Sequence, residues 1–373
     1  MKIVVLAGGL STERDVSLIT GSHVCKALKK RGHKAVLLDV FLGYESENND
    51  ISGIFDDDFS SDAAEITEID PDLDKVKALR GGDTVSFFGP NVIDICRMAD
   101  MVYMALHGAD GENGKIQAAF DLLGIKYTGS DYLGSAMAMD KGMSKKIFMT
   151  GGIPTPKGYC LNKHDKMIMP DELGYPCIVK PCCGGSSVGV SIANNEEEYK
   201  KALEIAFKYE DEVVVEEFIK GREFSVGVIG GKSLPIIEII PKTGFYDYKT
   251  KYQSGMAEDV CPADLTEEQT DRMQAHAIDV YRELKLGTYA RIDFLLDAKG
   301  DMYCLEANTL PGMTATSLLP QEAKALGIEY EELCEIMIAE AMYKYKGGVE
   351  ELPAVGHNRR YTLDDIKKPE DVQ

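Results

Sequence analysis

The stretch that most constrains this chain runs from Arg291 to Thr314, RIDFLLDAKGDMYCLEANTLPGMT. Apolar and polar residues alternate on both sides of a turn centred on Asp297-Ala-Lys-Gly-Asp301, a pattern that predicts a β-hairpin. Loop length then decides which side chains share a face. A two-residue loop at Lys299-Gly300, or a four-residue loop from Asp297 to Gly300, leaves Asp293 and Glu306 on the same face. In the tighter version they lie directly opposite, about 5 Å apart at Cβ. Successive residues alternate faces, so Arg291 and Asn308 join the pair. A three-residue loop with a bulge breaks the arrangement.

Two carboxylates and an amide on one sheet face make a hard-oxygen site, which suits Mg²⁺ held jointly with phosphate oxygens. The plainer alternative is a solvated face with cross-strand Arg–Asp pairing. Phe294, Leu296 and Leu305 form an apolar back that demands burial, and Pro311-Gly312 beside the acidic cluster points to close backbone approach.

At 373 residues the chain predicts two or three domains, each able to bury a core. With 44% hydrophobic and 28% charged residues, its composition is that of a globular protein. A formal charge of −21 argues against a nucleic-acid backbone or an anionic membrane as main partner, though phosphate ligands need only local positive charge. No apolar run approaches the roughly 18 residues of a membrane span. Ile3 to Ala7 is too short for a signal segment and is soon followed by charge. The nine cysteines show no paired CxxC spacing, and Cys182 and Cys183 are adjacent. That predicts reduced thiols in a cytoplasm rather than a disulfide framework or a zinc site.

Lys2 to Ala7 reads as a buried strand, then Gly8-Gly9, a helix capped by Thr12 and running to about Lys30, and a strand from Lys34 to Val40. This βαβ opening predicts a parallel sheet with a ligand crevice at its carboxyl ends. Gly8-Gly9 lacks the GxGxxG spacing of dinucleotide binders. Glu13 sits at the helix start, where position alone offers only a favourable place on the helix dipole. Residues 42–75 are acidic and irregular, an expected surface insertion. Met101 to Leu106 is the next strand, ending at His107, which by itself reads as structural. A helix is expected from Ser135 to about Met149, and Gly151 to Pro156 as a linker. A glycine-rich loop with hydroxyls, 181–189, joins two strands and can fold its N–H groups over phosphates, although it is no Walker A loop. Phe245 to Tyr252 is an aromatic and basic loop of the kind that forms lids. Helices follow near 267–284 and 330–343, and the polar tail carries no legible role.

Ten stretches, taken together, resemble the D-alanine–D-alanine ligase family of ATP-grasp enzymes over nearly all of residues 1–345. They are GGLSTERDVSL at 8–18, ALHGADGENGKIQ at 105–117, YTGS at 127–130, MDK at 139–141 and GIPTP at 152–156, followed by IVKP…GGSSVGV at 178–190, EEFIKGREF at 216–224, FYDYKTKY at 245–252, RIDF at 291–294 and LEANTLPGMTATSLLP at 305–320.

The resemblance implies an α/β chain with α+β lobes: an ATP-grasp fold behind an N-terminal parallel-sheet domain. Its expected parts are a substrate domain at 1–130, a small lobe at 131–215, a lobe with metal site and lid at 216–345, and a tail at 346–373. It implies that Lys141 and Lys180 contact nucleotide phosphates, with Ser187 and Lys251 among the cofactor contacts. Glu216, Phe218, Ile219 and Glu223 match adenine and ribose contacts. Asp293, Glu306 and Asn308 match ligands for Mg²⁺ or Mn²⁺, two ions in all. Arg291 and the backbone of Gly312 match groups that stabilise a tetrahedral intermediate. Glu13, tied to Ser186 and Tyr252, matches the acceptor for the first D-alanine's ammonium, with His107 beside it. Ser317 and Leu318 match the pocket for the second D-alanine's carboxylate.

The implied activity is ATP-dependent joining of two D-alanines through a D-alanyl phosphate, for peptidoglycan precursors, in a cytoplasmic homodimer pairing through its first lobe. Relatives that join D-alanine to D-lactate or D-serine are the nearest alternative, and a non-catalytic ATP-binding regulatory protein is one of another class. Two departures stand out: Cys182-Cys183-Gly184 replaces more polar residues before Gly185-Ser186-Ser187, and Asn113 stands where the family usually has Asp.

Overall fold

The computed structural model describes residues 1–46, 48, 50–56, 72–80, 85–166, 169, 172–185, 188–241 and 257–372. Three sheets organise them. The first is parallel, with β1 (Lys2–Ala7) between β2 (Lys34–Asp39) and β3 (Met101–Met104). Ile3 to Ala7 are all fully buried, as an unbroken apolar run in a central parallel strand requires. The helix Arg14–Lys30 makes the β1–β2 crossover. It begins with Glu13 at its N-cap position and no side-chain cap, not at Thr12 as expected. Ser11 forms the turn instead: its carbonyl accepts from Arg14 N–H at 3.2 Å, and its hydroxyl donates to the His107 carbonyl at 2.8 Å. Gly8 closes β1 with φ +78°, and a Cβ there would fall 2.4 Å from an Asp39 oxygen. That tight approach lets Asp39 reach Arg14, its ion-pair partner.

The second sheet is antiparallel and holds β4 (Gly158–Asn162), β5 (Cys177–Pro181), β6 (Ser191–Ala193) and β7 (Glu212–Glu217), in the order β4-β7-β5-β6. One face is covered by the helix Glu196–Ala206, whose Tyr199, Ala202, Leu203 and Ala206 share a helical stripe. The third sheet runs β11-β10-β8-β12-β13, with β9 (Lys232–Ser233) on β8. Its strands are β8 (Gly221–Ile229), β10 (Ile237–Pro241), β11 (Ala257–Val260), β12 (Tyr289–Asp297) and β13 (Met302–Asn308). The helix Glu267–Glu283, opened by a Thr266/Gln269 capping box, packs Met273, Ala277, Val280 and Tyr281 onto it. These features match the expected α/β architecture, an N-terminal parallel sheet followed by the two sheets of an ATP-grasp body.

Three local expectations are corrected. The helix expected across 135–149 is two helices, Tyr132–Met139 and Lys141–Thr150, because Asp140 turns extended and caps the second through Met143 N–H. The region expected to be irregular to residue 75 includes the helix Leu73–Arg80. The tail, with no role legible in its polar sequence, is a strap. Arg360 bridges Ser233, Tyr361 is buried, and Lys367 pairs with the buried Glu340 at 2.7 Å. Among the described residues no helix is long and apolar enough to cross a membrane.

Candidate active site

Asp297 N–H donates to the Asp301 carbonyl at 3.0 Å, so the β12–β13 loop has three residues, Ala298 to Gly300. Gly300 takes φ +85°, the left-handed position such a turn demands. By itself this odd loop would put Asp293 and Glu306 on opposite faces. A second irregularity undoes the slip. Phe294 pairs with Cys304, but Asp293 pairs with Glu306, leaving Leu305 as the extra residue of a bulge. Register beyond the bulge is restored, so Asp293 faces Glu306 and Arg291 faces Asn308. The expected grouping therefore holds by another route than the two- or four-residue loop. The apolar back differs accordingly: Phe294, Leu296, Met302, Cys304 and Ala307 form it, while Leu305 is half-buried and outside that core.

Arg291 grips Asp293 with two parallel bonds of 2.9 and 2.8 Å, and Asn308 Nδ2 donates to the same carboxylate at 3.0 Å. Lys141 lies 3.1 Å from Glu306 and donates to the Gly184 carbonyl at 2.6 Å. Burial pulls the Lys141 pKa down most strongly of any single cause, but the charge and hydrogen bond of Glu306, joined by Cys183 and Glu112, together raise it. Two carboxylates and an amide, with no sulfur or imidazole on this face, are a hard-oxygen set that fits Mg²⁺ or Mn²⁺.

Behind them lies a buried triad. Glu216 bridges Lys180 at 2.5 Å and Lys145 at 2.9 Å. Burial opposes the Glu216 charge, yet the two ammonium groups hold its pKa below the usual value. Lys145 is lowered by burial and further by Lys180, with Glu216 acting against both. Lys145 was not anticipated, although it stands four residues after Lys141 on one helix face, a spacing visible in the sequence. Phe218 and Ile219 are half-buried in the connection from β7 to β8, and Glu223 follows on β8.

The first lobe supplies the other wall. Glu13 is 6% exposed, and a Cβ on Gly108 or Gly185 would come within 2.8 or 2.7 Å of its carboxylate. Glycine at both places leaves the Glu13 carboxylate room between the His107 loop and the glycine-rich loop. One cavity is lined by Glu13, Glu112, Lys141, Gly185, Glu306 and Asn308, bringing first-lobe and hairpin groups together. His107 is buried with Nε2 2.9 Å from the Thr20 hydroxyl and Nδ1 3.0 Å from the Leu310 carbonyl. Since a carbonyl only accepts, Nδ1 carries a proton and donates it to Leu310. Glu112, also unanticipated, accepts from Gly108 N–H and Leu310 N–H, both at 3.1 Å, so it latches the His107 loop to the loop after β13.

In that last loop a Cβ on Gly312 would meet Ser317 Oγ at 2.8 Å. Ser317 Oγ accepts from Thr314 N–H at 3.0 Å and does not cap the helix Leu318–Ala325 that it precedes. Leu318 is buried. Four expected residues, Ser186, Ser187, Lys251 and Tyr252, lie outside the described residues.

Glu322, fully buried, accepts from Gly227 N–H at 2.6 Å through one oxygen, and its other oxygen has no hydrogen-bond partner among the described residues. Burial pushes its pKa well up, against the Gly227 bond and Arg291. The folded chain therefore holds a proton that the unfolded chain releases near the ordinary glutamate value. The associated stability is full below that value and is lost as pH rises towards the raised one. Glu322→Gln cannot ionise, so its stability advantage over the parent is expected to widen from pH 5 to pH 9. Parallel melting curves across that range would show that the carboxyl is hydrated instead.

Residues 2–130 match the family described as D-ala D-ala ligase N-terminus, and residues 147–339 the one described as D-ala D-ala ligase C-terminus. The chain is 45% identical over 340 residues to the D-alanine–D-alanine ligase of Pediococcus pentosaceus, covering 91% of this chain and 97% of that one. It is 43% identical over 354 residues to that of Lacticaseibacillus casei, covering 94% and 98%. Its fold is similar to the crystal structure of D-alanine–D-alanine ligase from Bacillus anthracis complexed with ATP, with TM-score 0.73, 31% identity and coverage of 93% and 99%.

Proposed function

The chain belongs to the D-alanine–D-alanine ligase family, and from that premise we propose that it joins two D-alanines at the expense of ATP, in the supply of peptidoglycan precursors. The observation that carries this reading is the meeting of three groups around one cavity: Glu306 and Asn308 from the face they share with Arg291 and Asp293, Lys141 under the glycine-rich loop, and Glu13 from the first lobe.

A carboxylate resists attack by an amine because oxide is a poor leaving group. Transfer of the γ-phosphoryl group to the first D-alanine gives an acyl phosphate, and the amine of the second displaces phosphate. Glu13, hemmed in by Gly108 and Gly185, is placed to take the first ammonium. Lys141, Lys180 and the loop N–H groups neutralise the phosphoryl oxygens, largely by position and charge. Asp293, Glu306 and Asn308 would hold Mg²⁺ or Mn²⁺, two ions in our reading. A metal there supplies charge neutralisation and a template for the phosphate oxygens. Arg291, fixed by Asp293, and Gly312 N–H face the developing oxyanion of the adduct. The uncapped start of the helix after Ser317 suits the second carboxylate.

We place this activity in the cytoplasm, which suits nine free thiols. We infer a homodimer formed through the first lobe, where Leu122 and Leu123 are exposed; a single-chain mass in solution would exclude it.

The test is phosphate release with ATP and D-alanine, then with D-lactate or D-serine as second substrate. Release that requires D-alanine and favours it as acceptor is the expected result. A preference for D-lactate at neutral pH would overturn the dipeptide assignment, and ATP binding without turnover would overturn the enzyme.

A further inference from the structure

We propose that Cys160, Cys182 and Glu212 form a second metal site, for a borderline-soft divalent cation of the zinc class, at the root of the glycine-rich loop. Cys160 lies on β4 and Glu212 on β7, while Cys182 directly follows β5 in the same four-stranded sheet. Cys160 on β4 pairs with Val214 of β7, Glu212 opens β7 two residues earlier on the same face, and Cys182 N–H donates to the Glu212 carbonyl at 3.2 Å. The two sulfurs and a Glu212 carboxylate oxygen lie within 4.8 Å of one another, the only such group of metal-ligating side chains among the described residues. Tetrahedral zinc, with bonds of about 2.3 Å to sulfur and about 2.1 Å to oxygen, spaces its ligands roughly 3.5–3.8 Å apart, so small side-chain shifts complete the set.

Two independent features mark the place. Residue 142 is glycine, and a Cβ there would stand 2.5 Å from Cys160 Sγ, 3.3 Å from Asp140 Oδ1 and 3.5 Å from Cys182 Sγ. A methyl group would displace the thiols, and its absence leaves them room. Burial is also graded: Cys182 is buried, Cys160 half-buried and Glu212 exposed, which gives dry thiols and a wet entrance. Binding would release the thiol protons to solvent, since the thiolate is the ligand form.

This site differs in class from the hairpin face, whose donors are oxygen alone, and does not depend on the ligase reading. Its consequence is mechanical. Cys182 follows β5 directly, and its carbonyl accepts from Lys141 N–H at 2.9 Å, so a bound cation ties the loop's root and the helix bearing Lys141 to β4.

The test is titration of the full-length, metal-stripped, phosphine-reduced protein with Co²⁺, read by thiolate-to-cobalt absorption in the near ultraviolet, which oxygen ligands at Asp293 and Glu306 cannot produce. One equivalent should develop the band, and one equivalent of Zn²⁺ should erase it. Cys160→Ser and Cys182→Ser should each weaken cobalt binding beyond the ~10–100-fold expected for outer-shell partners. Glu212→Gln should weaken it at least tenfold, and Cys183→Ser and Cys261→Ser should leave it unchanged. No band at one equivalent, a full band in Cys160→Ser or Cys182→Ser, or its loss in Cys183→Ser would overturn the site. Should a variant fail to fold, X-ray absorption of the zinc-loaded parent decides: two sulfurs in the first shell support the proposal, and none refutes it.

Discussion

Replacing Arg291 by alanine is expected to lower dipeptide formation by about 10²–10³-fold, the cost of one lost oxyanion donor, while ATP affinity changes little. The expectation rests on where the guanidinium sits. Two parallel bonds to Asp293 fix its plane, and the strand pairing sets it opposite Asn308, so it needs little reorganisation when charge develops. Arg291→Lys keeps the charge but loses the fork, and should recover only part of the rate. The measurement is kcat for dipeptide beside ATP affinity by calorimetry. A variant that no longer binds ATP would place Arg291 in nucleotide binding. One with unchanged kcat would leave it no part in the chemistry. Alanine also strips Asp293 of its main counter-charge in a buried place, so a melting curve should accompany the kinetics.

The hairpin shows how much of such a site is legible in sequence. Alternation around a turn located both strands and put Arg291, Asp293, Glu306 and Asn308 on one face. The route was not legible, because a three-residue loop and a bulge each shift register by one, and only their sum matters to the face. Leu305 was misplaced for the same reason. Asp140 could have been read as a cap, but the apolar residues before it carry the helical pattern through. Glu112 and Lys145 act through partners nearly 200 and about 70 residues away, Leu310 and Glu216, and no local period reports such meetings. The tail escaped notice because ion pairs and one buried tyrosine dock it, not an apolar stripe.

Glu216→Ala should destabilise the chain by about 3–5 kcal/mol, the penalty for stranding buried charge. The resemblance puts this residue among the nucleotide contacts, and its carboxylate lies between Lys145 and Lys180 with only 3% of the residue exposed. Without it two ammonium groups remain in a dry site. Lys145, already lowered by burial, would lose its counter-charge and fall further. A lowered lysine penalises the fold while it stays protonated, so the variant should regain stability as pH rises from the lowered value towards the ordinary one of 10.5. Adding Lys145→Met removes one stranded charge, so the double variant should lose less than the two single losses combined. Denaturant unfolding of the parent, both single variants and the double one measures that coupling, and ATP affinity is read on the same samples. If Glu216→Ala unfolds like the parent but binds ATP poorly, the carboxylate serves the nucleotide alone. If stability falls while the double variant recovers, its first task is to compensate the two buried lysines and hold Lys180 in position.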